Sequence, residues 1–129
     1  MTDFSGYIGM EYHHVHNNCW GFFRRVQAEM FQRDLPEFPV DPNDLRTVIK
    51  TFTHAPERKR WQRIHKPLSG DAVLLRRAKS PIHIGVWLDI DGGGILHCFE
   101  GFGVVFQTQT ALSAHGWHIS GLYRFQPHG

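Results

Sequence analysis

The sequence predicts a single α+β domain in which helices pack on one side of a roughly five-stranded antiparallel sheet. Three observations carry that expectation. Apolar residues recur at helical spacing only in the first half of the chain. Short β-branched and aromatic runs fill the second half from Asp71 onward. Turn-forming residues such as Asp91, Gly92, Gly93 and Gly94 separate those runs, which suits hairpins in succession. The 129 residues fit one domain, residues 1–129, and are too few for two ordinary ones.

Taken in order, Phe22, Phe23, Val26 and Met30 predict a helix from about Cys19 to Gln32. Asn17 and Asn18 suit its cap, and Pro36 and Pro39 stop it. Leu45, Val48, Ile49 and Phe52 mark a second helix entered through Asp41 and Asn43. Trp61 and Ile64 suggest a short third helical turn before Pro67. The expected strands are the runs AVLLRR (72–77), HIGVWLDI (83–90), ILHCF (95–99), VVFQT (104–108) and GLYRF (121–125).

Composition narrows the function. A hydrophobic fraction of 41% supports a modest core, and a net charge of +2 is too small for a nucleic-acid surface. The basic run around Arg58–Arg63 reads as the solvated face of a helix. Ten histidines would make the surface cationic near pH 6, which suits an anionic polymer such as cell wall. The first residues lack the apolar segment of a signal peptide, and no run has the length of a membrane span. The expectation is therefore a chain made in the cytoplasm, without membrane insertion, that needs another route to a periplasm or wall. Cys19 and Cys98 could form a disulfide, but a free reactive thiol is the favoured reading.

Cys19 opens the first helix, where unsatisfied N–H groups and partial positive charge stabilise a thiolate and can receive an oxyanion. A cysteine nucleophile needs a base, and the base needs a partner to fix its ring. His83, Gly85 and Trp87 share one face of a strand, and His97 stands on the next strand across the glycine-rich turn. A tight two-residue turn at Asp91-Gly92 would put the two histidines on opposite faces. A wider loop through Gly94 would let them pair.

Four ordered motifs then carry a resemblance: Asn18-Cys19-Trp20-Gly21-Phe22-Phe23-Arg24, Ser69 to Leu75, His83 to Leu88, and Ile95-Leu96-His97. Together they resemble the NlpC-type cysteine peptidases (the NlpC/P-sixty superfamily), as does Gly9-Met10-Glu11-Tyr12 upstream, over about Gly9 to Phe125. The resemblance implies a papain-like core, with Cys19 as nucleophile, His83 as base within hydrogen-bond reach of it, and His97 orienting the ring from the far side. It makes Tyr12 a substrate or oxyanion contact and places Asn18, where many relatives carry aspartate, in the substrate pocket. It implies cleavage of peptidoglycan stem peptides, commonly between D-glutamate and diaminopimelate. The Trp-Gly after the cysteine and Gly121-Leu122-Tyr123-Arg124 look most like the phage and prophage branch, which brings in phage-tail or other delivery proteins as partners. No cofactor is implied. The rivals are an acyltransferase or thioesterase on the same fold, and a structural tail or assembly module.

His13, His14 and His16 beside Cys19 raise a metal site, but a loop is the favoured reading because no second Cys/His pair stands at ligand spacing. Cys98, next to His97 on a strand, points to the opposite face and reads as a small core residue. His115 and His118 have no partner visible in the sequence.

Overall fold

Asn18 starts the first helix, α1 (Cys19–Phe31): its backbone is extended and its side-chain oxygen accepts the Gly21 N–H at 2.8 Å. The helix ends where Gln32 turns left-handed, at φ 54°. The computed structural model describes residues 4–13, 17–35, 60–77 and 80–126. The second helix expected around Leu45–Phe52 lies outside them.

Among the described residues, six strands form one antiparallel sheet: β1 (Trp61–Arg63), β2 (Ala72–Arg77), β3 (Ser80–Leu88), β4 (Gly94–Phe99), β5 (Gly103–Thr108) and β6 (Trp117–Phe125). Their spatial order is β1-β6-β2-β3-β4-β5. The protein is thus α+β, with a sheet one strand larger than expected. The extra strand is β1, and it corrects the helical turn expected at Trp61 and Ile64. Trp61 pairs with Phe125 on β6, and its ring packs 5.4 Å from that of Phe125 and 5.9 Å from that of Phe23. Gln62 and Arg63 are exposed on this short edge strand, so the polar run that reads as a helix face is in part a sheet edge.

A second, short helix, α2 (Gln109–Ala114), fills the gap between β5 and β6. Thr108 caps it by accepting the Ala111 N–H at 3.3 Å. Only Leu112 of α2 is buried, so the segment has no apolar period for a sequence reading to find.

The sheet is covered on both faces. Ala72, Leu74, Ile84, Val86, Leu88, Leu96 and Cys98 face α1 and join Cys19, Phe22, Phe23 and Val26 in the larger core. Val73, Leu75, Trp87 and Ile95 face the other way and pack with Leu112 of α2 and with Trp117. The expectation of helices on one side therefore fails for α2. The central strands are apolar on both faces, which leaves room for a helix on either.

The β3–β4 connection decides the site. Val86 pairs with Leu96, Trp87 with Ile95 and Leu88 with Gly94, so the loop is the wide one, Asp89 to Gly93. Asp91, Gly92 and Gly93 all adopt positive φ, and a Cβ on Gly93 would run into the Trp87 ring. This register places His83 and His97 on one face of the sheet.

Gly85 is needed for that approach. A Cβ there would lie 2.5 Å from Ile95 Cγ2 and 3.0 Å from His97 Cβ. Gly85→Ala is expected to destabilise the fold by about 1–3 kcal/mol through overpacking. Urea denaturation of the variant checks this, and an unchanged midpoint would show that the two strands can part freely.

Candidate active site

The Cys19 sulfur is packed between the start of α1 and β3, and the residue is 6% exposed. Burial pushes its thiol up to about 11, while backbone N–H groups of Ile84, Trp20 and Cys19 itself pull in the other direction. At neutral pH the sulfur is therefore a protonated thiol, placed among N–H groups that would favour its anion.

His83 and His97 form a buried pair on the opposite face. His83 Nε2 lies 2.9 Å from His97 Nδ1, and the residues are 5% and 0% exposed. The chain continues from His97 Nε2 to Gln107 Oε1 at 2.8 Å and from Gln107 Nε2 to His115 Nδ1 at 2.9 Å. The Trp117 ring stands 5.3 Å from that of His83, and the Phe99 ring stacks 5.0 Å from that of His97. Burial is the main cause that holds both rings neutral, His83 well below the ordinary histidine range and His97 at about 4. The Arg77 guanidinium, 4.1 Å over the Trp117 ring, adds to the effect on both.

The proton positions follow from the chain. Gln107 Oε1 can only accept, so His97 Nε2 donates to it. His97 Nδ1 is then bare and accepts from His83 Nε2–H. With the Gln107 oxygen toward His97, that leaves His83 Nδ1 as the bare nitrogen of the pair.

The structure brings His83 and His97 together but does not join them to Cys19. Among the described residues no hydrogen bond links the Cys19 thiol to the His83 ring. The reason is strand alternation: Ile84 faces α1, so His83 beside it faces Trp117. Cys19 nevertheless shares a core with the very next residue, Ile84, just beyond the Val86–Leu96 pair at which the β3–β4 ladder ends.

No protein-family model matches the chain, and no curated protein matches it.

Tyr12 lines an open cavity of about 430 Å³ with Met10, Glu11, Glu100 and Phe102, on the α1 side of the sheet. Asn18 spends its side-chain oxygen on the helix cap. Cys98 is fully buried on the Cys19 side, where its thiol donates to Asn17 O at 3.3 Å. Of the three early histidines, His13 is exposed and pairs by backbone with Asn17, while His14 and His16 lie outside the described residues. No group of three or more His, Cys, Asp or Glu stands ready to hold a metal among the described residues. No helix among them is long and apolar enough to cross a membrane.

Gln107 and His115 were not visible as site residues in the sequence. One signal points to Gln107: it pairs with Ile95 across the β4–β5 ladder, which puts it on the His97 face one diagonal step away.

Cys19 should label ahead of Cys98 with iodoacetamide, because Cys98 is wholly enclosed and Cys19 is not. Labelling should be slow, since a thiol near 11 is anionic in only about one molecule in a thousand at pH 8. Peptide mapping by mass checks both points, and faster modification of Cys98 in the folded protein would contradict them.

Proposed function

We propose that this chain is a thiol hydrolase of the NlpC type, with a papain-like core, that cleaves amide bonds in peptidoglycan stem peptides. One observation carries the proposal: a helix-start cysteine packs in the same core as Ile84, and the neighbouring residue His83 holds its ring nitrogen 2.9 Å from His97. The base and its orienting group stand 2.9 Å apart, and the nucleophile lies across β3 from them, in the core that holds Ile84. The larger core of α1 on an antiparallel sheet suits a papain-like arrangement.

In this reading the structure is a resting state, because sulfur and ring lie on two sides of β3. Catalysis in this reading requires the Cys19 thiol to reach His83 Nδ1 past the end of the β3–β4 ladder, beyond the Val86–Leu96 pair. His83 takes the thiol proton, and the sulfur attacks the amide carbonyl. Backbone N–H groups around Cys19 stabilise the tetrahedral oxyanion. The C–N bond breaks, and His83 returns the proton to the leaving amine. A water molecule, deprotonated by His83, then opens the thioester. The bond between D-glutamate and diaminopimelate is the substrate the motif resemblance favours, with Tyr12 and Asn18 near the entry. Delivery to the wall would fall to phage-tail or secretion proteins. Transfer of the acyl group to an amine instead of water would use the same steps.

The burial of Cys19 and its separation from the His83 ring favour a second reading, a non-enzymatic tail or assembly module on the same fold. Incubation of purified protein with muropeptides, followed by mass spectrometry of new termini, separates the two. Hydrolysis lost in Cys19→Ala supports the enzyme. Intact muropeptides after prolonged incubation with folded wild-type protein support the module.

A further inference from the structure

We propose that Gln107 is a positioning residue that sets the tautomer of His83 through His97; this rests on His83 being the base. The four groups His83, His97, Gln107 and His115 form one continuous chain with contacts of 2.8–2.9 Å. Such a chain has two self-consistent proton arrangements. With the Gln107 oxygen toward His97, both buried rings carry the proton on Nε2 and His83 Nδ1 is bare. With oxygen and nitrogen interchanged, every proton reverses, and His83 Nδ1 carries hydrogen and cannot act as a base. The structure holds the first arrangement.

Two features bear on it. The Gln107 amide is set with its oxygen 2.8 Å from His97 Nε2 and its nitrogen 2.9 Å from His115 Nδ1, a setting that goes with a bare His115 Nδ1. His97 is fully buried beneath Phe99, so removal of the Gln107 amide would leave its Nε2 without a partner at a cost, and with nothing to fix its tautomer. The amide thus does for His97 what a carboxylate or carbonyl does for the orienting member of other triads: it fixes the donor end of the relay. A neutral amide has a further consequence. It adds no negative charge to a pocket that already contains Arg77, so both rings stay neutral and a proton taken by His83 is readily returned. Among the described residues, the charged and titratable side chains that bear on the relay from its neighbouring elements are Arg77 of β2, His83 of β3, His97 of β4 and His115 after α2.

The test compares wild type, Gln107→Leu and Gln107→Glu, with folding checked by thermal melting. Long-range ¹H–¹⁵N spectra tell a bare ring nitrogen from one that carries hydrogen. The expected result is a bare Nδ1 on His83 in wild type and in Gln107→Glu, whose carboxylate also accepts from His97. Gln107→Leu should lose the single tautomer and lower kcat by about 100-fold with little change in KM, and Gln107→Glu should recover most of that loss. If His83 keeps a bare Nδ1 in Gln107→Leu, or carries hydrogen there in wild type, the inference is overturned whatever the activity. If the spectra behave as expected but no variant hydrolyses muropeptide, the relay stands and the hydrolase reading falls.

Discussion

Cys19→Ala and His83→Ala are each expected to lower the initial rate on a muropeptide by at least about 10⁴-fold, with the double variant no worse than either. In the proposed mechanism the first removes the sulfur that forms the thioester, and the second removes the acceptor of the proton from a thiol held near 11. The losses do not add, because each already disables the same step. His97→Ala should be milder, since the His83 ring survives and water can replace part of its partner. Initial rates for the four variants, with melting curves to confirm folding, provide the check. A folded His83→Ala protein that keeps most of its activity would remove His83 from the mechanism.

The second large effect is on stability against acid. His83 and His97 are held neutral by burial, with folded-state values depressed below those of an unfolded chain, about 6.5. Above that value both states are neutral and the full stability is present. As pH falls below it, the unfolded chain takes up protons that the native rings refuse, so stability is lost. For His97 the loss extends down to about 4 and amounts to about 3 kcal/mol; His83 adds in the same direction. Urea midpoints at pH 7.5, 6.5, 5.5 and 4.5 should fall steeply below 6.5. In His97→Gln the fall should be shallower, because one refused proton is gone. Parallel curves for the two proteins would contradict a neutral buried pair.

Much of the frame was legible because local signals agreed with it. An asparagine before an apolar period gives the start of α1, and the five longer strands overlap the β-branched runs, although β3 and β6 begin earlier, at Ser80 and Trp117, and β3 ends at Leu88. The glycines after Asp91 permit the wide loop, and only the folded register decides between it and the tight turn. What stayed hidden has a physical cause in each case. β1 exists because β6 offers a free edge, a tertiary demand that three residues cannot announce. α2 buries a single leucine and so leaves no period. Alternation shows that His83, Gly85 and Trp87 share a face, but not which face meets α1. Ile84, Val86 and Leu88 form the more apolar set, and α1 packs on them, which turns His83 toward Trp117. Gln107 and His115 come into reach only through the β4–β5 ladder and the turn after α2.

The central claim is that Cys19 becomes acylated during amide hydrolysis, with the proton handled by His83. The most direct measurement is an acid quench of protein and muropeptide within the first turnover, followed by intact and peptide-level mass spectrometry. The expected result is an adduct of the acyl half of the substrate on the peptide containing Cys19, absent in Cys19→Ala and chased away by longer incubation. An adduct on Cys98, or muropeptide cleavage that continues unchanged in Cys19→Ala, would contradict it.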